Sequence, residues 1–201
     1  PARRPALLYS GWVFVTPYPS CNHGLTFVCS LLLLNIISLA SCLTGHKLEV
    51  MMAPTTASDV ANYIICYFQK KGEEITHLKL QKLLYYAQGW YLALLDEPLF
   101  DDELQAWVHG AVEPNLYQKF KKYRWDSITE EVICSKFEGT DIKRFLNKLL
   151  QVYGHLTPRQ LEIKIHHESP WLNAREGLGD FEAGNRNISH QDMKDHFRKL
   201  G

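Results

Sequence analysis

The sequence predicts a mainly α fold: a single compact helical domain with a small β element, a short strand or hairpin, near its middle. Three observations carry this expectation. Apolar residues recur at helical spacing in successive stretches, most of them opening on a Ser, Thr or Pro suited to a helix start. Apolar and non-core side chains alternate clearly only between Leu104 and Val108. No internal repeat and no low-complexity linker divides the chain.

Taken in order, Ser58 is the expected N-cap of the first helix, with Val60, Tyr63, Ile64, Tyr67 and Phe68 on its apolar side and Gly72 as a stop after Lys70-Lys71. Thr76 caps the second, which ends near Leu95 before the turn formers Asp96-Glu97-Pro98. Leu104, Ala106 and Val108 alternate with Glu103, Gln105 and Trp107, which predicts a short extended element broken by His109-Gly110. Pro114 suits the first position of a helix through Tyr123, with Tyr117 and Phe120 inward. Trp125 to Gly139 is ambiguous, although "EVICSKF" can pair as a strand. Thr140 opens an amphipathic helix carrying Ile142, Phe145, Leu146, Leu149 and Tyr153, closed by Gly154. Thr157-Pro158-Arg159-Gln160 is a capping box for a helix to about His167. Ser169-Pro170-Trp171 begins a short helical turn, and Ser189 opens a terminal helix to Leu200 with Ile188 stapled onto Met193.

The first fifty residues differ from the rest. The stretch Gly24 to Leu43 is long and apolar enough to span a bilayer, and Leu39-Ala40-Ser41-Cys42 loosely resembles a lipoprotein cleavage box. The basic pair Arg3-Arg4, however, lies far from the apolar run, where a secretory signal would place it adjacent. Residues 1–50 are therefore expected to be upstream translation or an apolar leader, with the domain over 52–201.

Composition narrows function by exclusion. The chain has 22 basic and 22 acidic residues; without Arg3, Arg4, Lys47 and Glu49 the remainder holds 19 against 21, too balanced for a global attraction to nucleic acid or anionic membrane. Cys66 and Cys134 lie far apart in apolar surroundings, which predicts buried thiols in a reducing cytoplasm and neither a disulfide nor a zinc site. His166-His167-Glu168 offers three ligand types, but consecutive helical residues diverge by about 100° and cannot converge on one ion. The run Lys119 to Arg124 mixes basic and aromatic residues, as single-strand binders do, and reads equally as one exposed helix face. No Gly-rich phosphate loop is present. No metal, cofactor or catalytic residue is assigned.

The stretch "THLKLQKLLYYAQGWYLALL" is apolar on two sides. Leu80, Leu83, Leu84, Ala87, Tyr91 and Leu94 form one stripe with Trp90 at its margin; Leu78, Tyr85 and Leu92 form a second among Gln81, Lys82, Gln88 and Gly89. Such a helix is either sandwiched within its own domain or offers its second side to a partner. Tyr85, opposite the main stripe, is the leading surface candidate.

Three separated segments, "ITHLKLQKLLYYAQGWYLAL", "PLFDDELQAWVHGAVEPNLYQKFKKY" and "LEIKIHHESPWLNAREG", resemble the Panacea domain family, which includes SocA-like antitoxins and the phage-associated protein GepA. The resemblance runs from about Ser58 to Phe197. Where relatives read Gly-Pro-Val-Val-Pro, this chain has Gly110-Ala111-Val112-Glu113-Pro114, which places a carboxylate at a helix start. The resemblance implies a non-enzymatic antitoxin that neutralises a cognate toxin by direct protein–protein binding, or alternatively an adaptor that delivers a toxin to a bacterial protease. A rival from another class is an enzyme using His109 or the His166-His167-Glu168 cluster. Motif position and amphipathic logic together nominate Leu78, Tyr85, Leu92, His109, Glu113, Tyr117, Trp171 and Arg175 as partner-binding residues.

Overall fold

The computed structural model describes residues 54–179 and 181–201; the expectations for residues 1–50 lie outside them. Among the described residues, seven α-helices and one antiparallel hairpin follow in chain order: α1 (Ala57–Lys70), α2 (His77–Leu95), β1 (Gln105–Trp107), β2 (Gly110–Val112), α3 (Pro114–Phe120), α4 (Asp141–Tyr153), α5 (Pro158–His166), α6 (Ser169–Ala174) and α7 (His190–Leu200). The fold is mainly α with a small β hairpin, as the sequence predicts.

Local chemistry explains most boundaries. Thr76, Thr140, Thr157 and Ser189 each accept a hydrogen bond from the backbone N–H three residues on, satisfying donors that a helix start leaves free. The first helix starts earlier than expected: Thr56, not Ser58, is its N-cap, because Thr56 and Asp59 close a reciprocal capping box. The helix expected from Pro114 to Tyr123 is α through Phe120 and tightens to a 3₁₀ turn over Lys121–Tyr123. In the hairpin Ala106 faces Ala111 and Trp107 faces Gly110, leaving Val108 and His109 as the two-residue loop.

The long helix α2 is the axis of the core. Its first stripe packs on α1 and α4, and its second is covered by α7, so the choice between a sandwiched and a partner-facing helix falls to the former for Tyr85 and Leu92, both buried. Gly89 makes this close approach geometrically possible: a Cβ at that position would lie 2.2 Å from Cε2 of Phe197. Tyr85, Tyr86 and Trp90 all meet the Phe197 ring, at centroid distances of 5.7, 5.9 and 5.3 Å. Tyr85 is therefore a core residue and not a surface one; the sequence pattern correctly placed it opposite the main stripe but could not show that the terminal helix returns there.

A second correction concerns the cysteines. Cys66 on α1 and Cys134 form a disulfide, with Cα atoms 6.0 Å apart. It ties the segment after the 3₁₀ turn to α1, and "EVICSKF" has no strand assignment. Sixty-eight residues separate the two positions, so sequence spacing alone held no sign of their proximity. The disulfide does not fit the expected reduced thiols. No helix of the described residues is long and apolar enough to cross a membrane.

Candidate functional site: an aromatic cleft with a basic floor

A cleft of about 1080 Å³ opens where the start of α2, the hairpin, the end of α3 and residues 181–185 meet. Leu78, Trp107, Val112 and Tyr117 supply apolar walls. The Tyr117 ring stands edge-on to Trp107 at 4.8 Å and to His77 at 5.8 Å, the arrangement that ring quadrupoles favour. At the mouth, Trp125 is 79% and Phe181 is 91% exposed. Large aromatic side chains left in water beside a concave apolar surface are the composition of an interface centre, where Trp, Tyr and Phe contribute most of the binding energy.

The polar members of the cleft are organised by α2. Gln81 pins the loop between β2 and α3 from both sides: its Oε1 accepts from the Glu113 N–H at 2.7 Å, and its Nε2 donates to the Glu113 carbonyl at 3.2 Å. One residue on, the Lys82 ammonium donates to the Ala111 carbonyl at 3.1 Å. Glu113 itself is buried and its carboxylate accepts from the N–H groups of Asn115 and Leu116, so it serves as the N-cap of α3. Among the described residues the cleft is lined by Lys82, Lys121 and Arg124 and by no carboxylate. Arg124 holds φ 51°, a left-handed backbone value that a non-glycine side chain rarely adopts and that costs on the order of 1–3 kcal/mol. This kink immediately precedes exposed Trp125.

Trp171 and Arg175 stand behind the cleft. The Trp171 indole N–H donates to the Trp107 carbonyl at 3.0 Å; its ring stacks on His166 at 4.2 Å and carries the Arg175 guanidinium at 5.0 Å. Arg175 donates to the carbonyls of Ala106, Gly179 and Glu182, at 3.3, 2.9 and 2.7 Å. It thereby fastens the loop that carries Phe181 to the back of β1. Arg175 and Glu168 do not pair: Glu168 accepts from the Tyr86 hydroxyl at 3.0 Å.

Of the eight residues nominated from sequence, Leu78, His109 and Tyr117 line this cleft, with His109 at the rim against Glu162, 3.1 Å away. Glu113, Trp171 and Arg175 shape it from behind. Tyr85 and Leu92 are in the core. Lys82, Trp107, Trp125 and Phe181 were not nominated. One signal was available: Gln81 and Lys82 fall three and four residues after Leu78 and so share its helix face. Trp125 and Phe181 lie in loops, where no periodicity marks a face.

The histidine cluster disperses. His166 stacks on Trp171, His167 Nδ1 faces the Ile163 carbonyl at 2.7 Å, and Glu168 points to Tyr86. Burial pulls the His166 and His77 pKa values down. Among the described residues, no group of three His, Cys, Asp or Glu side chains is placed to hold a metal ion.

Residues 80–172, which carry the floor of the cleft and its Trp171 support, match the family model of the antitoxin SocA-like Panacea domain. Over these residues the chain is similar to the Panacea domain family. The chain is also similar to the antitoxin SocA of Caulobacter vibrioides (strain NA1000 / CB15N), 29% identical over 155 residues, covering 71% of this chain and 82% of that protein. No solved structure matches significantly. The Panacea match ends before Phe181, so the lip formed by residues 181–185 lies outside it.

Proposed function

We propose that this chain is the antitoxin of a toxin–antitoxin pair, which neutralises its cognate toxin by direct protein–protein contact through the aromatic cleft and has no catalytic step of its own. The observation that carries this reading is the pair of exposed rings, Trp125 and Phe181, standing over an apolar cleft in a domain similar to an antitoxin family. Leaving such rings in water has no packing benefit for the free chain, whereas covering them in a complex removes apolar area from water at about 25 cal/mol per Å². Leu78, Trp107 and Tyr117 form the receiving walls. His109 lies at the rim, while Glu113, Trp171 and Arg175 fix the shape of the cleft and contact the toxin little. Tyr85 and Leu92 support the helix that carries Lys82.

The test is growth of cells expressing the gene adjacent to this one, with and without the full chain. Arrest by the neighbour, relieved by co-expression of this chain and not by a folded variant carrying Trp125→Ala and Phe181→Ala, supports the reading. Arrest that the wild-type chain leaves untouched refutes it for that pair.

A further inference from the structure

The buried cation at the base of the cleft bears on the partner's chemistry. Lys82 is only 2% exposed, yet its ammonium, with three donors, makes one hydrogen bond, to Ala111, and no ion pair with any described carboxylate. The nearby acids are engaged elsewhere. Glu162 is held by His109 and Arg159, and Glu113 by the first turn of α3. An ammonium removed from water is costly unless paired, and a methylene chain ending in an apolar group would occupy the same space without that cost. Burial accordingly pulls the Lys82 pKa down to about 7, with Glu162 only partly opposing it.

We propose that the cleft receives a carboxylate-bearing segment of the bound partner, with an Asp or Glu side chain seated against Lys82 and a neighbouring large apolar side chain between Leu78, Trp107 and Tyr117. This rests on the reading that the cleft is the face that binds the partner. Charge complementarity supports it, because Lys121 and Arg124 add to Lys82 and no described lining residue is acidic. The segment is recognised through its side chains and not by strand addition. One edge of β1 pairs with β2, and the other is taken by the chain at Arg186 and Ile188, through the bonds Ala106 N–H to Arg186 O and Ile188 N–H to Leu104 O. On the far side of β2, Lys82 holds the Ala111 carbonyl, and Gln81 holds the Glu113 backbone just beyond the strand. With both edges of β1 and the Ala111 carbonyl of β2 engaged in this way, peptide β-augmentation is disfavoured and recognition falls to pockets for side chains.

The test is selection of displayed random twelve-residue peptides on the full 201-residue chain, followed by affinity measurements on synthetic copies of the enriched sequences. The expected result is enrichment of Asp or Glu within two residues of Trp, Phe or Leu. Changing that acid to its amide then weakens binding at least tenfold on the wild-type chain, and changes it less than twofold on Lys82→Met. The acid-to-amide comparison on the wild-type chain needs no altered protein, so it stands even if the variant misfolds. Enrichment without acidic residues, equal affinity of acid and amide forms, or no enrichment overturns the proposal. Failure here with growth rescue intact strikes the cleft chemistry alone. The expected peptide result without rescue leaves the cleft chemistry standing and removes the antitoxin reading.

Discussion

Replacing Glu168 by Gln should stabilise the protein at neutral pH, and the gain should vanish in acid. Glu168 sits at the start of α6 against α2, is 7% exposed, and accepts a hydrogen bond from the Tyr86 hydroxyl, with the Tyr85 hydroxyl also facing its carboxylate. Burial raises its pKa from 4.5 to about 7, an effect that the Tyr85 and Tyr86 hydroxyls and the more distant Lys164 only partly offset. The sign follows from proton binding: between those two values the unfolded chain has lost the proton and the folded chain still holds it, so stability falls as pH rises. At about 1.4 kcal/mol per pKa unit, the loss across that window is roughly 3 kcal/mol. An amide is neutral throughout and can still accept from Tyr86. Urea unfolding of wild type and Glu168→Gln from pH 4.5 to 8 should therefore show a difference near zero at the acid end, growing to roughly 3 kcal/mol in favour of the variant above pH 7. The histidines whose pKa burial lowers, His77, His166 and His196, give wild type the opposite trend, but they are common to both proteins and cancel in the difference. A difference that is flat with pH, or that favours wild type at neutral pH, refutes the buried-acid account.

Further outcomes follow from the same contacts. Gly89→Ala drives a methyl into the Phe197 ring, so it should cost about 1–3 kcal/mol or more and, in hydrogen exchange, release α7 first. Reducing the Cys66–Cys134 bond should lower stability by about 2–4 kcal/mol in denaturant titrations, while the unreduced protein should yield no free thiol at those two positions under native labelling. Lys82→Met should leave the melting temperature unchanged or raise it, because it removes a buried cation that forms no ion pair among the described residues. Trp125→Ala and Phe181→Ala should each change folding stability by no more than about 0.5 kcal/mol, since both rings stand mostly in solvent.

Much of the fold was legible because its signals are local. Thr76, Thr140, Thr157 and Ser189 cap the helices they were expected to cap, and Pro114 and Gly72 mark the boundaries their backbone preferences dictate. What was not legible depends on chain reversal over long distances. Whether Tyr85 faces water or Phe197 depends on where a helix more than a hundred residues later returns, and helix periodicity is silent on that. The pairing of Cys66 with Cys134 is of the same kind. For the cleft, the helical residue Leu78 and the loop-adjacent His109 and Tyr117 were found through motif position and amphipathic logic. Trp125 and Phe181 could be recognised only by exposure, a property that composition does not contain. Lys82 was visible as a polar residue on α2, but that no described carboxylate pairs with it is a three-dimensional fact.

The most direct test of the central claim is the affinity of the purified chain for the product of the adjacent gene, measured by calorimetry for wild type and for the Trp125→Ala, Phe181→Ala double variant after equal melting temperatures have been established. Recognition through the cleft predicts at least a tenfold weaker complex for the variant, about 1.4 kcal/mol or more. An affinity unchanged by removing both rings would contradict it.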